Sequence, residues 1–254
     1  MPTPKNRRRV NSVPGFRRSA NIETDTDSPL SRYTITTCAK RALDRVLATL
    51  AGKHSGRAWT LTGPYGSGKS SFALFLSALL GTERTPHHRE SLASIRHASP
   101  DLAQEISKIR RGGRVFVPVL IAGAREPLST AVLRAARAAL SACSSRAAKA
   151  LLADLDDKGR KASRDPVQVL AAVHDCVVNK EPGVSGTLVI FDELGKLLEF
   201  AAMHPRDSDV HVLQRLAEHA TRTDRPMLLL GILHQDFAGY ARDLPAADRA
   251  EWEK

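Results

Sequence analysis

The chain has 254 residues and a formal net charge of +11, and 42% of its residues are hydrophobic and 26% charged, as in ordinary globular proteins. A chain of this length can bury a substantial core in one or two domains. No apolar run approaches the roughly 18 residues that a membrane span needs, and no apolar segment follows the basic N-terminus as in a secretory signal. The three cysteines lack C-x-x-C spacing, a pattern typical of reduced thiols, so we expect a cytoplasmic protein that makes no membrane contact.

The N-terminal segment carries six of the eleven net positive charges of the chain. Residues 1–20 contain no acid, and their prolines disfavour a helix. We predict a disordered basic arm over residues 1–30 and one folded domain over residues 31–254. Such an arm can contact the phosphate backbone of a nucleic acid, but no DNA-reading motif accompanies it, so we favour a solvated tail.

The first half of the folded region alternates apolar segments of helical and strand-like period. In chain order, the predicted elements are a helix over 36–50, a strand over 58–62, a helix up to Leu80, a short helix over 101–111 and a strand over 114–122. Residues 82–100 are polar, and we predict a linker there. Pro118 lies inside the second strand and indicates an edge position or a bulge, because proline cannot donate to a sheet ladder.

The second half of the chain continues the alternation. Its predicted elements are a helix over 127–155 broken near Ser144, a helix over 166–178, a strand over 186–191, a helix over 209–222, a strand over 226–233 and an interrupted helix over 235–254. The strand over 186–191 is continuously apolar, as strands of parallel sheets are. Strands that alternate with helices predict an α/β fold in three layers, with a mainly parallel sheet between two layers of helices.

A glycine-rich loop, residues 63–70, connects the first strand to its helix. It reads Gly63-Pro64-Tyr65-Gly66-Ser67-Gly68-Lys69-Ser70 and continues into Ser71, which matches the G-x-x-x-x-G-K-[ST] pattern of phosphate-binding loops. Glycines let backbone N–H groups surround the phosphates, and the helix N-terminus attracts the same anion. We expect residues 63–71 to bind a nucleoside triphosphate, with Lys69 on the β- and γ-phosphates and Ser70 on Mg²⁺. A simple turn between strand and helix is the alternative that these flanks disfavour.

Two acids, Asp192 and Glu193, directly follow the third strand. Ligand chemistry in open α/β sheets gathers at the carboxyl ends of strands. We therefore predict that Asp192 shares the Mg²⁺ ion with Ser70, and that Glu193 takes a proton from, or orients, the water that attacks the γ-phosphate. The alternative is that Asp192 and Glu193 are only two exposed acids at the end of a strand, without a role in binding or catalysis.

The nucleotide and the reaction follow from what surrounds the acid pair. Residues 192–195 also satisfy the D-x-x-G pattern of GTPases, but the fourth strand ends without the N/T-K-x-D sequence that reads guanine. Nothing marks the arginine-rich lid or acceptor pocket of a kinase. The adjacent acids favour an ATPase that uses water. His234 and Gln235 end the fourth strand, where either could touch the γ-phosphate or could equally be a polar strand terminus.

Two arginines, Arg222 and Arg225, precede the fourth strand and could serve the site of a neighbouring subunit. Solvated arginines beside Asp224 are the favoured alternative. The protein could therefore form a homo-oligomer or bind a protein partner, but the sequence identifies neither the oligomeric state nor the partner.

The motifs together resemble the AAA+ branch of phosphate-loop ATPases, within the ASCE division, and are closer to its origin-recognition and STAND-type members than to its protein unfoldases. The resemblance covers residues 33–241 and includes residues 62–71, residues 191–196 and residues 231–235. Those three segments are similar to the N-terminal ATPase regions of large bacterial ATP-binding proteins. The resemblance to the AAA+ branch implies Mg²⁺-dependent ATP hydrolysis coupled to a conformational switch.

The chain departs from the AAA+ pattern after its fourth strand. An AAA+ module continues with a fifth strand and a helical lid that carries a second sensor arginine, and the printed sequence shows neither. We expect a truncated product or the N-terminal piece of a longer protein, with catalytic competence in doubt. A nucleotide-gated scaffold or DNA-binding switch with negligible turnover is the alternative function.

Overall fold

The computed structural model describes residues 33–82, 86–111, 113–158, 165–204 and 211–240, together with Ile22, Leu30 and Arg242. The basic segment 1–20 lies outside the described residues. Ile22 and Leu30, which fall within the predicted arm of residues 1–30, are both buried. Among the described helices, none combines the length and the apolar character needed to cross a membrane.

The described residues form four strands and ten helices in an α/β arrangement. The strands are β1 (Ala58–Thr62), β2 (Val115–Ala122), β3 (Val184–Asp192) and β4 (Met227–Leu233). The helices are α1 (Thr37–Leu50), α2 (Lys69–Leu80), α3 (Pro86–Ala98), α4 (Pro100–Ile109), α5 (Leu128–Ser141), α6 (Arg146–Lys158), α7 (Pro166–Lys180), α8 (Leu194–Met203), α9 (His211–Arg222) and α10 (Phe237–Tyr240).

The four strands form one parallel sheet in the order β1-β4-β3-β2. β3 and β4 are the inner strands and are buried along almost their whole length, because both of their faces are covered. β2 is an edge strand, as Pro118 predicted, and its register shift lies at Val115 and Phe116 rather than at the proline. The parallel sheet predicted from the sequence is confirmed.

Two hydrophobic cores cover the two faces of the sheet. One joins α1, α2, α3 and α4 to side chains such as Ile190 and Ile232, and the other joins α5, α6, α7, α8 and α9 to side chains such as Val189 and Leu229. Because residues alternate between the faces of a strand, consecutive positions of β3 enter different cores. Helices therefore lie on both sides of the sheet, in the predicted three layers.

The helices that follow the strands change from one face of the sheet to the other beside β1. The helix after β1 packs on one face, whereas the helices after β2 and β3 pack on the other. β1 and β4 are neighbours in the sheet, so the chain leaves this part of the sheet toward both faces. Such a reversal at the carboxyl ends of parallel strands is where open α/β sheets bind ligands.

Local signals place most helix ends where the sequence predicts them. Thr36 caps α1 by accepting a hydrogen bond from the N–H of Ala39, and Gly81 follows the last residue of α2. Asp165 caps α7 by accepting from the N–H of Val167. The break predicted near Ser144 separates α5 from α6.

Two predictions about local structure are wrong. The segment 82–100 contains the helix α3, whose buried residues include Ser91 and Ile95, instead of a polar linker. Its few apolar residues are flanked by histidines and arginines, so the periodicity is hard to recognise. The helix α8 also starts directly after the acid pair, where we predicted no helix before residue 209.

The packing of α3 can be tested at Ile95, which is fully buried against the core formed with α1, α2 and α4. We expect Ile95→Ala to lower the free energy of unfolding by about 2–5 kcal/mol, through lost burial and the cavity left behind. Urea unfolding measures this change. The exposed His97→Ala on the same helix should change stability by less than about 0.5 kcal/mol. Equal, small effects of both substitutions would contradict the packed helix.

Candidate functional site

The carboxyl ends of β1, β3 and β4 bring three of the predicted polar segments together. The glycine loop follows β1, Asp192 is the last residue of β3, and His234 directly follows β4. Thr62 pairs with Leu233 across the sheet, and the N–H of Gly63 donates to the carbonyl of Leu233 at 3.3 Å. The loop and His234 therefore start from adjacent points of the same edge.

The glycine loop has the backbone conformation that its glycines permit. Gly66 and Gly68 have φ of 75° and 85°, a region that L residues with a side chain rarely adopt. The hydroxyl of Ser67 closes the turn by donating to the carbonyl of Pro64 at 2.8 Å. A residue with a Cβ at either glycine would strain the loop.

The helix α2 begins immediately after the loop without a side-chain cap. Gly68 is its N-cap residue, and the first intrahelical bond runs from the N–H of Phe72 to the carbonyl of Gly68. The N–H groups of Lys69, Ser70 and Ser71 precede that bond, so none has an acceptor within the helix. These three donors carry the positive end of the helix dipole and suit an anion.

Lys69 folds its side chain over the inside of the glycine loop. Its Nζ donates to the carbonyls of Gly63 and Pro64 at 2.7 and 2.8 Å, and lies 3.4 Å from Nδ1 of His234. Only 8% of the residue is exposed. Burial lowers the pKa of the Lys69 ammonium, and the charge of Asp192 opposes that shift. The loop thus holds a positive charge whose partners are neutral carbonyl oxygens.

Ser70 and Asp192 meet directly, although 122 residues separate them. The Ser70 hydroxyl donates to Oδ1 of Asp192 at 2.9 Å, and the N–H of Glu193 donates to the same oxygen at 3.0 Å. Asp192 is 4% exposed. Burial raises the pKa of its carboxyl group, while the hydrogen bonds from Ser70 and Glu193 oppose the rise. The structure therefore brings together both residues that the sequence assigned to a metal ion.

Glu193 has a strained backbone and a paired side chain. Its φ of 51° is the one positive value among the non-glycine residues of the described segments. Left-handed backbone at a residue with a Cβ costs energy and often marks a functional position. The Glu193 carboxylate forms an ion pair with Lys196 in the first turn of α8.

Gly123, just after β2, packs against the backbone of the acid pair. Its N–H donates to the carbonyl of Asp192 at 2.7 Å. A Cβ at Gly123 would lie 2.2 Å from the carbonyl oxygen of Glu193, a distance that no side chain tolerates. The end of β3 thus approaches Gly123 so closely that only glycine fits there.

His234 connects the glycine loop to the end of β4. Its ring stacks on Tyr65, with centroids 3.5 Å apart and 19° between the planes, and its Nδ1 faces Lys69. Burial, followed by the charge of Lys69, lowers the pKa of His234 and favours the neutral ring. Gln235 is exposed, and its side chain lies beside Gly239 in α10. Of the two residues predicted at this strand end, His234 is the one that contacts Lys69.

Tyr240 is a site neighbour that the sequence did not single out. Its hydroxyl oxygen accepts a hydrogen bond from the N–H of His234 at 3.1 Å. A Cβ at Gly195 would lie 2.2 Å from the same oxygen, so α10 packs directly against the start of α8. The isolated tyrosine in a polar C-terminal segment carried no signal of this contact, and neither did Lys196 or Gly123.

The two arginines proposed for a neighbouring subunit's site precede the amino end of β4, at the opposite edge of the sheet. One guanidinium nitrogen of Arg225 donates to the carbonyls of Val178 and Val184 at 2.8 and 2.9 Å. Arg225 is exposed, as the solvated alternative expected, and its guanidinium is also held by these backbone oxygens. Arg222 is exposed and pairs with Glu218 on its own helix.

Other features of the described residues do not form a comparable site. No group of three or more histidine, cysteine or acidic side chains within those ranges could hold a metal ion. A cavity of about 710 Å³ opens beside the edge strand β2, and its lining is mostly apolar, with alanines of α5 and residues such as Phe116. The three cysteines are free, with Cys38 exposed and Cys143 and Cys176 partly buried.

No protein-family model, no curated protein and no solved structure matches this chain. The chemistry of this edge of the sheet is therefore inferred from the chain's own residues and their geometry.

The buried charge of Asp192 predicts a pH-dependent cost to stability. Folding raises the pKa of Asp192, so its protonated carboxyl group contributes to the stability of the folded protein at low pH. That contribution is lost as the pH rises through the raised pKa. We expect Asp192→Asn, which keeps the acceptor oxygen, to raise the urea midpoint of the metal-free protein at pH 7. The gain should vanish below about pH 3.9, the ordinary aspartate pKa.

The control for this experiment is Asp44→Asn, at an exposed position of α1, which should change stability by less than about 0.5 kcal/mol at either pH. A destabilised Asp192→Asn variant at pH 7 would show that Asp192 is held as a favourable structural charge.

Proposed function

We propose that this protein binds Mg²⁺ and ATP at the carboxyl edge of its sheet and hydrolyses ATP to ADP and phosphate. One observation carries the proposal: Ser70 and Asp192, assigned to one metal ion from separate motifs, lie 2.9 Å apart beside the Lys69 ammonium. A hydroxyl and a carboxylate in hydrogen-bond contact next to a cationic loop are a fitting oxygen donor set for Mg²⁺ that also binds phosphates.

The loop itself fits a polyphosphate. Gly66 and Gly68 keep side chains out of the concave side of the turn, and the first N–H groups of α2 have no intrahelical partners. Lys69 adds a positive charge to the loop that its partners do not neutralise, because the carbonyls of Gly63 and Pro64 carry no net charge. Charge-assisted bonds to phosphate are stronger than bonds to neutral carbonyls, so bound phosphates would draw the ammonium toward themselves.

Ser70 and Asp192 would hold the metal ion together with the phosphate oxygens. Two protein ligands are enough, since Mg²⁺ usually keeps several waters and takes its remaining oxygens from the nucleotide. When bound, the ion neutralises charge that develops on the phosphate oxygens. The buried setting of Asp192 strengthens this electrostatic contribution, because little water screens it.

Glu193 would serve as the acceptor for the proton of the attacking water. It follows Asp192 directly, so its side chain starts one residue from the proposed metal ligand. A positioned carboxylate of this kind typically contributes about 10²–10⁴-fold to a rate. His234, in contact with Lys69, would sense the terminal phosphate from the other side of the loop.

The identity of the base rests on the sequence. The D-x-x-G reading of residues 192–195 weakens further because Gly195 packs against Tyr240, which accounts for the glycine without a nucleotide. We therefore assign adenine rather than guanine. Membership of the AAA+ branch, within the phosphate-loop NTPases of the ASCE type, is part of the same proposal, and the order β1-β4-β3-β2 supports it by placing His234 between the loop and the acid pair.

The phosphate-binding role of Lys69 predicts the effect of its removal. We expect Lys69→Met, which keeps most of the buried stem, to weaken MgATP binding by roughly 10²–10⁴-fold, because two charge-assisted bonds of about 1.5–3 kcal/mol each are lost. Isothermal calorimetry measures the affinity. Lys40→Met, on the exposed side of α1, is the matched control and should bind as the wild type does. Equal affinities of all three proteins would refute ATP binding through the glycine loop.

The role of Glu193 separates hydrolysis from binding. We expect Glu193→Gln to bind MgATP but to release phosphate about 10²–10⁴-fold more slowly than the wild type in a steady-state assay. If the wild type binds MgATP and releases no more phosphate than this variant, the protein is instead a nucleotide-gated switch with negligible turnover.

A further inference from the structure

The side chain of Lys196 lies next to the acid that the proposed hydrolysis needs. Lys196 is in the first turn of α8, three residues after Glu193, and its Nζ pairs with Oε2 of Glu193. The side chain is 44% exposed, so its ammonium is not enclosed by the surrounding protein. A lysine offers three donors on a flexible stem and can change partners by rotating its side chain.

The ion pair creates a conflict for Glu193. The Lys196 ammonium takes one acceptor position on Oε2, and its positive charge opposes the transfer of a proton from water to the carboxylate. The carboxylate is therefore engaged in this structure, although its backbone is held in the strained left-handed region beside Asp192. A site built for hydrolysis needs some event that moves the ammonium away from Glu193.

The charge of Lys196 acts on His234, which lies between the glycine loop and the acid pair. Burial and then the charge of Lys69 lower the pKa of His234, the charge of Glu193 opposes this shift, and Lys196 acts more weakly in the same direction as Lys69. His234 in turn contacts Lys69, which lies inside the glycine loop. Lys196, paired with Glu193, and Lys69, inside the glycine loop, are therefore both near enough to His234 for their charges to act on its ring.

We propose that Lys196 is a specificity residue that leaves Glu193 for the terminal phosphate of a nucleoside triphosphate and so distinguishes ATP from ADP. The inference rests on the proposed function, since it needs nucleotide in the glycine loop. The exchange moves one ion-pair partner and breaks no covalent bond. It removes the ammonium from the Glu193 carboxylate, and so lets that carboxylate take up a proton from water more readily, only when the γ-phosphate of a nucleoside triphosphate is present.

The balance of charges favours the exchange. An ion pair between two partly exposed side chains three residues apart contributes little to stability, because water screens it and both side chains lose freedom. A terminal phosphate carries more negative charge than one carboxylate and offers three oxygens as acceptors. ADP, which lacks that group, leaves Lys196 on Glu193.

Affinities for two nucleotides test the exchange without any measurement of turnover. We expect Lys196→Met to bind the non-hydrolysable β,γ-imido analogue of ATP about tenfold more weakly than the wild type, the loss of one charge-assisted bond. Its affinity for ADP should stay within about twofold of the wild type. Calorimetry with Mg²⁺ and each nucleotide gives both values.

Lys108→Met is the matched control. Lys108 pairs with Glu105 at the same three-residue spacing, in the last turn of α4, with a similar exposure of 49%. Its substitution removes the same charge and the same kind of ion pair from a different helix. Neither nucleotide affinity should change, whereas an equal loss in both variants would attribute the effect to net charge.

A double-mutant cycle isolates the competition between the carboxylate and the phosphate. Glu193→Gln removes the competing charge, so it should strengthen binding of the ATP analogue several-fold when Lys196 is present. The same substitution should have no effect in the Lys196→Met background. If Lys196→Met binds the ATP analogue and ADP with the same ratio of affinities as the wild-type protein, the exchange is refuted while the proposed function stands. If the wild-type protein binds neither nucleotide, the proposed function is refuted as well.

Discussion

The hydrogen bond between Ser70 and Asp192 is the contact on which the candidate site depends. It joins the first turn of α2 to the last residue of β3 across 122 residues of chain. The sheet order makes it possible, because β4 alone separates β1 from β3 and all three strands end at the same edge. The glycine loop, the acid pair and His234 are brought together by that order, and a different arrangement of the same strands would disperse them.

The site concentrates features that work against stability. Lys69 and Asp192 are both buried, and burial disfavours the charged form of each despite their mutual attraction. Glu193 adds left-handed backbone at a residue with a Cβ. Proteins retain such costs at sites where charge and strain serve a reaction. The buried His174, by contrast, is bonded to Thr187 and needs no functional explanation.

Close backbone approaches fix the positions of the reactive groups. Gly123 lets the end of β3 come within a distance that any side chain would prevent, and Gly195 does the same for α10 against α8. Tyr240 links the second of these approaches to His234 by accepting from its N–H. The geometry of the acid pair therefore depends on neighbours that carry no chemistry themselves. Such neighbours explain how substitutions outside the motifs can alter the site.

The sequence alone determined the strands, most of the helices, the glycine loop and the candidate residues, because each depends on spacing within one short segment. It missed α3, whose few apolar residues are separated by polar and charged ones, and α8, although Leu194, Leu197 and Leu198 have the spacing of a helix that packs on the core. Only the tertiary structure decided that Ser70 meets Asp192, that His234 rather than Gln235 contacts Lys69, and that Lys196 pairs with Glu193. Long-range contacts of this kind follow from strand order and close packing, which no local pattern encodes.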